Sequence, residues 1–174
     1  MTNSANDKAV ILARGLGTRM RRPDDAAGLD VRQAAVADSG VKALIPIGRP
    51  FLDYVLSALA DAGYRRVCLV VAPDHDRIRR YYEEEARPRR ISVEYAVQHE
   101  PLGTADAVAA AECFAAGDPI VVLNSDNYYP VDALRQLRQQ DGFATALFER
   151  ESMLTQSNIP ADRVRQFALG KIDS

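Results

Sequence analysis

KAVILARGLGTRMRR, residues 8–22, joins an apolar run to a glycine-containing, cationic loop. Residues 9–13 read as a buried strand, and Gly15, Gly17, Thr18 and a run of arginines follow at once. Glycine has no Cβ, so a backbone carrying two of them can bring its N–H groups against an anion. Arg19 adds a planar, always-charged fork that matches phosphate oxygens in pairs, and Thr18 adds a hydroxyl. The stretch suits a polyphosphate, although a glycine turn is also the ordinary exit from a parallel strand. Two familiar phosphate motifs do not fit. A P-loop needs Gly-Lys-Ser/Thr at its end, and the dinucleotide pattern G-x-G-x-x-G needs glycine where Met20 stands.

The 174 residues suffice for one domain with a sizeable core, read as residues 8–174 behind a short flexible tail, 1–7. At 47% hydrophobic and 26% charged the composition is that of a globular protein. A net charge of −2 supplies no basic field for nucleic acid or an anionic membrane surface. No run approaches the ~20 apolar residues of a membrane span, and MTNSAND lacks a signal core. Cys68 and Cys113 sit in apolar segments with no metal or redox spacing, so a reduced, cytoplasmic setting is expected.

Beyond the loop, residues 23–41 are polar and broken by Pro23, Gly28 and Gly40, reading as a long loop of the kind that carries function. Lys42 precedes ALIPIG, a short extended piece that Pro46 keeps from helix. Pro50 opens a helix with Phe51, Leu52, Val55, Leu56 and Leu59 on one face, stopped by Gly63. RVCLVVA, 66–72, is a buried strand; a charged helix is expected from Pro73 to about Glu85; ISVEYAV, 91–97, alternates as a strand should. After the loop QHEPLGT comes an Ala-rich helix, about 104–114, with Thr104 as its expected cap. PIVVL, 119–123, is a further strand ending in NSDN; a helix around Val131, Leu134 and Leu137 follows, then a strand over 143–148 and a last strand or strand pair over 163–172. Strands alternating with helices, the strands continuous and apolar, predict an α/β fold: a mostly parallel sheet with helices on both faces. Ligands of such sheets bind at the strands' carboxyl ends. The loops GLGTRMR, QHEPLGT and NSDN all follow such ends.

In this order the motifs resemble those of the sugar-1-phosphate nucleotidylyltransferases, the NDP-sugar pyrophosphorylase family. LARGLGTRM and KALIPI match its opening pattern, PFLDYVLSALADAGYRRVCLVV the helix and strand that follow, QHEPLGTADAV its base-recognition loop and VVLNSDN its metal-aspartate strand end. The match covers roughly residues 8–127. The resemblance implies a Rossmann-like sheet of the nucleotide-diphospho-sugar transferase type. It also implies roles residue by residue. Gly15, Gly17, Thr18 and Arg19 would hold the triphosphate, with Leu12 and Ala13 giving backbone contacts to the nucleoside. Lys42 would neutralise the α-phosphate, Gln98 and Gly103 would contact the base, and Asp126 would bind Mg2+. Arg19, Lys42 and Asp126 would carry catalysis, with a nucleoside triphosphate and a sugar 1-phosphate as substrates and no protein nucleophile. The loop resembles the uridine or thymidine branch most, with guanosine close behind.

Arg14 departs from the pattern, which has a small residue there. A long cation could crowd the nucleoside, point outward or add a phosphate contact. Family members also continue into a sugar-binding half with a second lysine and a second metal aspartate, so the chain is expected to be a truncated or short form. Two other functions fit the same motifs: a nucleotide-binding regulatory module without turnover, and a transferase using another phosphorylated acceptor such as phosphocholine. A homo-oligomer is left open.

Overall fold

The structure is a computed structural model that describes residues 6–15, 44, 46–157 and 159–170. These fall into two compact units, Met1–Gly142 and Phe143–Ser174. In the first, the apolar run of the opening stretch becomes β1, Lys8–Leu12. The hairpin pair β2, Pro46–Ile47, and β3, Arg49–Pro50, precedes helix α1, Phe51–Ala62, and strand β4, Arg66–Val71. Helix α2, Asp76–Arg80, continues as a π-helical turn over Tyr81–Ala86. Then come β5, Ser92–Val97, short helices α3, Thr104–Ala109, and α4, Glu112–Ala115, strand β6, Ile120–Asn124, and α5, Val131–Arg138.

β1 lies inside a four-stranded, wholly parallel sheet ordered β5-β4-β1-β6. The alternation of side chains along a strand divides the core into two faces. Ala9 and Ile11 of β1 and Val67, Leu69 and Val71 of β4 pack with Leu52, Val55, Leu56 and Leu59 of α1, Ile78 and Leu134. On the opposite face Val10, Cys68 and Val70 meet Ala107, Ala111 and Phe114. Both faces of the central strands are covered, which is why they read as unbroken apolar runs. The parallel α/β sheet with helices on both faces is therefore the observed fold. No helix among the described residues is long and apolar enough to cross a membrane.

Gly63 ends α1 as expected. At φ +103 its N–H reaches the Ala60 carbonyl and the next N–H, Tyr64, reaches Leu59, the paired bonds that close a helix through a left-handed glycine. Lys8 starts β1 with a structural task. Its buried ammonium donates to the Phe114 and Ala115 carbonyls at 3.0 and 2.9 Å and pairs with Asp118 at 2.7 Å, holding that carboxyl below the usual carboxylate range.

Asp53 in the first turn of α1 accepts from the Tyr81 and Tyr82 hydroxyls at 2.8 and 2.9 Å, fastening α1 to the π-helical turn. Burial first and the Asp53 carboxylate second push both phenols far above their ordinary range. Asp53→Ala strands both hydroxyls, and a buried donor without a partner costs about 1–3 kcal/mol. A loss of about 2 kcal/mol is the expected result in a urea titration.

Several expected elements differ. The charged helix starts at Asp76, because Ala72–His75 forms a turn closed by the His75 N–H to the Ala72 carbonyl. The Ala-rich helix breaks between Ala109 and Glu112, and its cap is Gly103 without any side-chain cap bond, so Thr104 is the first helical residue and not the cap. The second unit contains α6, Arg150–Gln156, and α7, Ala161–Val164, and no strand among its described residues. Residues 143–148 are irregular and 163–170 leave a helix instead of forming a strand. A short apolar run becomes a strand only when a neighbour takes its N–H and C=O groups and its side chains are buried. Here Phe143, Leu147, Phe148, Phe167 and Leu169 are exposed.

Candidate functional site

The registers place the carboxyl ends of the strands at one level: Leu12 of β1 sits between Val70 of β4 and Asn124 of β6, and Val71 pairs with Val97 of β5. Chain order reverses between β1 and β6, since β4 and β5 follow β1 on one side and β6 lies on the other. That is where an open parallel sheet leaves a crevice for ligand. A cleft of about 300 Å³ is found there, lined by Leu12, Ala13, Gly15, Gln98, Gly103 and Asp126 together with Arg14, Thr104, Asn124 and Ser125.

Six of the residues expected to form the site thus share one cleft. Gly17, Thr18, Arg19 and Lys42 lie outside the described residues. Backbone bonds join the strand exits: Ala13 N–H to the Val70 carbonyl at 2.9 Å, Gln98 N–H to Val71 at 3.0 Å and Ser125 N–H to Leu12 at 3.3 Å. Each loop therefore leaves the sheet from a tethered residue, and its first side chains are held where the cleft begins.

Gln98 is buried, and its amide nitrogen donates to the Gly103 carbonyl at 3.1 Å and to Asp106 Oδ2 at 2.7 Å. The Gly103 carbonyl also accepts from the Ala107 N–H at 3.1 Å, so one peptide opens α3 and anchors the glutamine. Gly103 has φ +108 and ψ −175, a region essentially closed to residues with a Cβ. The glycine of QHEPLGT is needed for backbone geometry.

Arg14 spans two loops. Its Nε donates to the Gln98 carbonyl at 2.8 Å and its Nη2 to the His99 carbonyl at 3.0 Å. The β1 exit and the β5 exit are thereby tied across the cleft. Arg14→Ala releases both carbonyls, with an expected loss of about 1 kcal/mol in stability and about fivefold weaker nucleotide binding by calorimetry, a shift worth about 1 kcal/mol.

Asp126 is exposed at the cleft, with no hydrogen bond or ion pair among the described residues. No group of three or more metal-binding side chains occurs among them either. A carboxylate at the cleft with no partner among the described residues fits Mg2+, which uses one or two carboxylates and takes its other oxygens from water and substrate. Asp106 was not read from the sequence as part of the site. Its position three residues after Gly103, in the first turn of the helix that follows QHEPLGT, was the available signal.

The sequence pattern described as nucleotidyl transferase matches residues 27–157. A D-glycero-alpha-D-manno-heptose 1-phosphate guanylyltransferase of Campylobacter jejuni is 26% identical over 161 residues, covering 84% of this chain and 66% of that protein. Its counterpart from Aneurinibacillus thermoaerophilus is 29% identical over 141 residues, covering 80% and 55%. Among solved structures, HddC from Yersinia pseudotuberculosis, complexed with GMP-PN, superposes with a TM-score of 0.57 at 26% identity, covering 85% of this chain and 54% of that one. The chain spans between about half and two thirds of the length of these relatives.

Proposed function

The chain belongs to the nucleotidyl transferase family, and from that premise we propose that its cleft binds a nucleoside triphosphate for transfer of the nucleotidyl group to a sugar 1-phosphate. The observation that carries this reading is the meeting of three strand exits, after β1, β5 and β6, around one cleft where strand order reverses. The guanylyltransferase names of the two heptose relatives make GTP the first triphosphate to test.

In the proposed reaction an oxygen of the sugar phosphate attacks the α-phosphorus, a new P–O bond forms, and the bond to the β-phosphate oxygen breaks to release pyrophosphate. The chain's residues act by positioning and by placing charge. Leu12 and Ala13 line the nucleoside end, Gln98 and Gly103 hold the base, and Gly15, with Gly17 and Thr18 of the family pattern, would hold the phosphates. Arg19 and Lys42, which carry the cationic part of the family pattern, would stabilise the charge that grows on the α-phosphate in an in-line displacement. Asp126 would hold Mg2+, whose contribution is to neutralise phosphate oxygens and orient them. A cytoplasmic setting is part of the same reading, and the free thiols of Cys68 and Cys113 accord with it.

Pyrophosphate release, measured over a panel of triphosphates and sugar 1-phosphates with Mg2+, tests the proposal. Turnover confined to particular pairs is expected. A folded sample that turns over no pair overturns it, and one that binds triphosphate tightly without turnover identifies a binding module instead.

A further inference from the structure

We propose that Asp106 sets the base preference of the cleft, by fixing the side-chain amide of Gln98 so that it offers only an acceptor, and that the base so selected is guanine. The inference rests on the nucleotide-site reading above and adds a positioning residue to it.

An unrestrained glutamine is a tolerant reader of bases, because its amide turns over to present either N–H or C=O. Gln98 has lost that freedom. Its Nε2 faces the Gly103 carbonyl at 3.1 Å and the Asp106 carboxylate at 2.7 Å. A carbonyl and a carboxylate can only accept, so turning the amide over would set oxygen against two oxygens, and the orientation is decided by the network. Both Nε2 hydrogens are spent. What remains is Oε1, which accepts no hydrogen bond among the described residues, on a side chain that lines the cleft. The carboxylate behind the amide polarises it and makes that oxygen a better acceptor.

The Watson–Crick edges of the bases answer differently to a lone acceptor. Guanine presents two adjacent donors, N1–H and the 2-amino group. Uracil and thymine present one N–H flanked by two carbonyls, which bring oxygen towards oxygen on either side. Adenine and cytosine present an amino donor beside a ring nitrogen that itself needs a donor, and Gln98 has none left to give. A site built to hydrogen-bond rejects the analogue that leaves its partner unpaired. Guanine gains most from this arrangement, uracil and thymine less, adenine and cytosine least.

The test is a calorimetric panel of GTP, ITP, UTP, ATP and CTP against the full chain. Wild type is expected to bind GTP at least tenfold more tightly than ATP or CTP, with ITP, which lacks the 2-amino group, in between. Asp106→Ala frees the amide and should bring the GTP to ATP ratio within about threefold. Asp106→Asn, which keeps a carbonyl oxygen for the Gln98 nitrogen, should keep most of the ratio, and it is this contrast with Asp106→Ala that a purely structural role for Asp106 does not predict. Asp106→Ser, too short to reach the amide, carries the same test if Asp106→Ala does not fold. A flat wild-type panel, or an unchanged ratio in Asp106→Ala or Asp106→Ser, overturns the inference while leaving a nucleotide site in place. Failure of wild type to bind any triphosphate overturns the site reading beneath it.

Discussion

Asp126→Ala is expected to lower the rate of pyrophosphate release by about 10²–10³-fold, the scale seen when one preorganised electrostatic contact to a transition state is removed. The residue stands exposed at the end of β6, where β6 and β1 part, and nothing among the described residues hydrogen-bonds to it or pairs with it. Stability should therefore change by less than about 0.5 kcal/mol, as for an ordinary surface substitution. That contrast is the content of the prediction: a large loss of turnover on an unchanged melting curve. A carboxylate with no partner among the described residues shows its loss chiefly where it meets a ligand. The requirement for Mg2+ should rise in parallel. Asp126→Asn retains an oxygen without the charge and should fall between wild type and Asp126→Ala. Turnover within about threefold of wild type in Asp126→Ala would remove Asp126 from the machinery.

The second large effect is expected at Gly103. At φ +108 and ψ −175 an alanine is strained whatever its surroundings. Among the described residues no atom lies within 4 Å of where its Cβ would be, so backbone strain is the cost expected there. To relieve the strain the peptide must turn, and its carbonyl is the acceptor for both the Ala107 N–H and the Gln98 amide. Gly103→Ala should therefore cost about 2 kcal/mol in a denaturant titration and loosen the base loop as well, weakening triphosphate binding about tenfold, or 1.4 kcal/mol. An alanine variant as stable as wild type would mean that the loop reaches another backbone path without loss.

Much of this molecule was legible before its fold. β1 and β4 were readable because strands covered on both faces are apolar along nearly their whole length, and β6 because its residues form a short apolar run, although it is the edge strand and Val122 on it is exposed. The end of α1 was readable because Gly63 is needed for a left-handed turn. The gathering of Gly15, Gln98, Gly103 and Asp126 at one cleft followed from loops placed after such strands. The second unit was not legible. Residues 143–148 are mostly apolar, as a strand can be, yet an apolar run carries no information about whether a neighbouring strand is there to pair with.

The chemistry of the cleft divides in the same way. Sequence alone determined which residue types stand at the strand exits: the glycines of the first loop, the amide of Gln98, the carboxylate of Asp126, each at the end of a run whose apolar pattern is a local property. Only tertiary structure decided the strand order β5-β4-β1-β6 that gathers them, the reach of Arg14 to the carbonyls of Gln98 and His99, and the turning of the Gln98 amide towards Asp106. The physical reason is that burial periodicity is written along the chain, whereas a hydrogen bond's direction depends on which donor and acceptor the fold sets face to face. The opening loop supplied the expectation of a phosphate; the packing of β5 against β4, with the helix that follows it, decided how the Gln98 amide is held at the cleft.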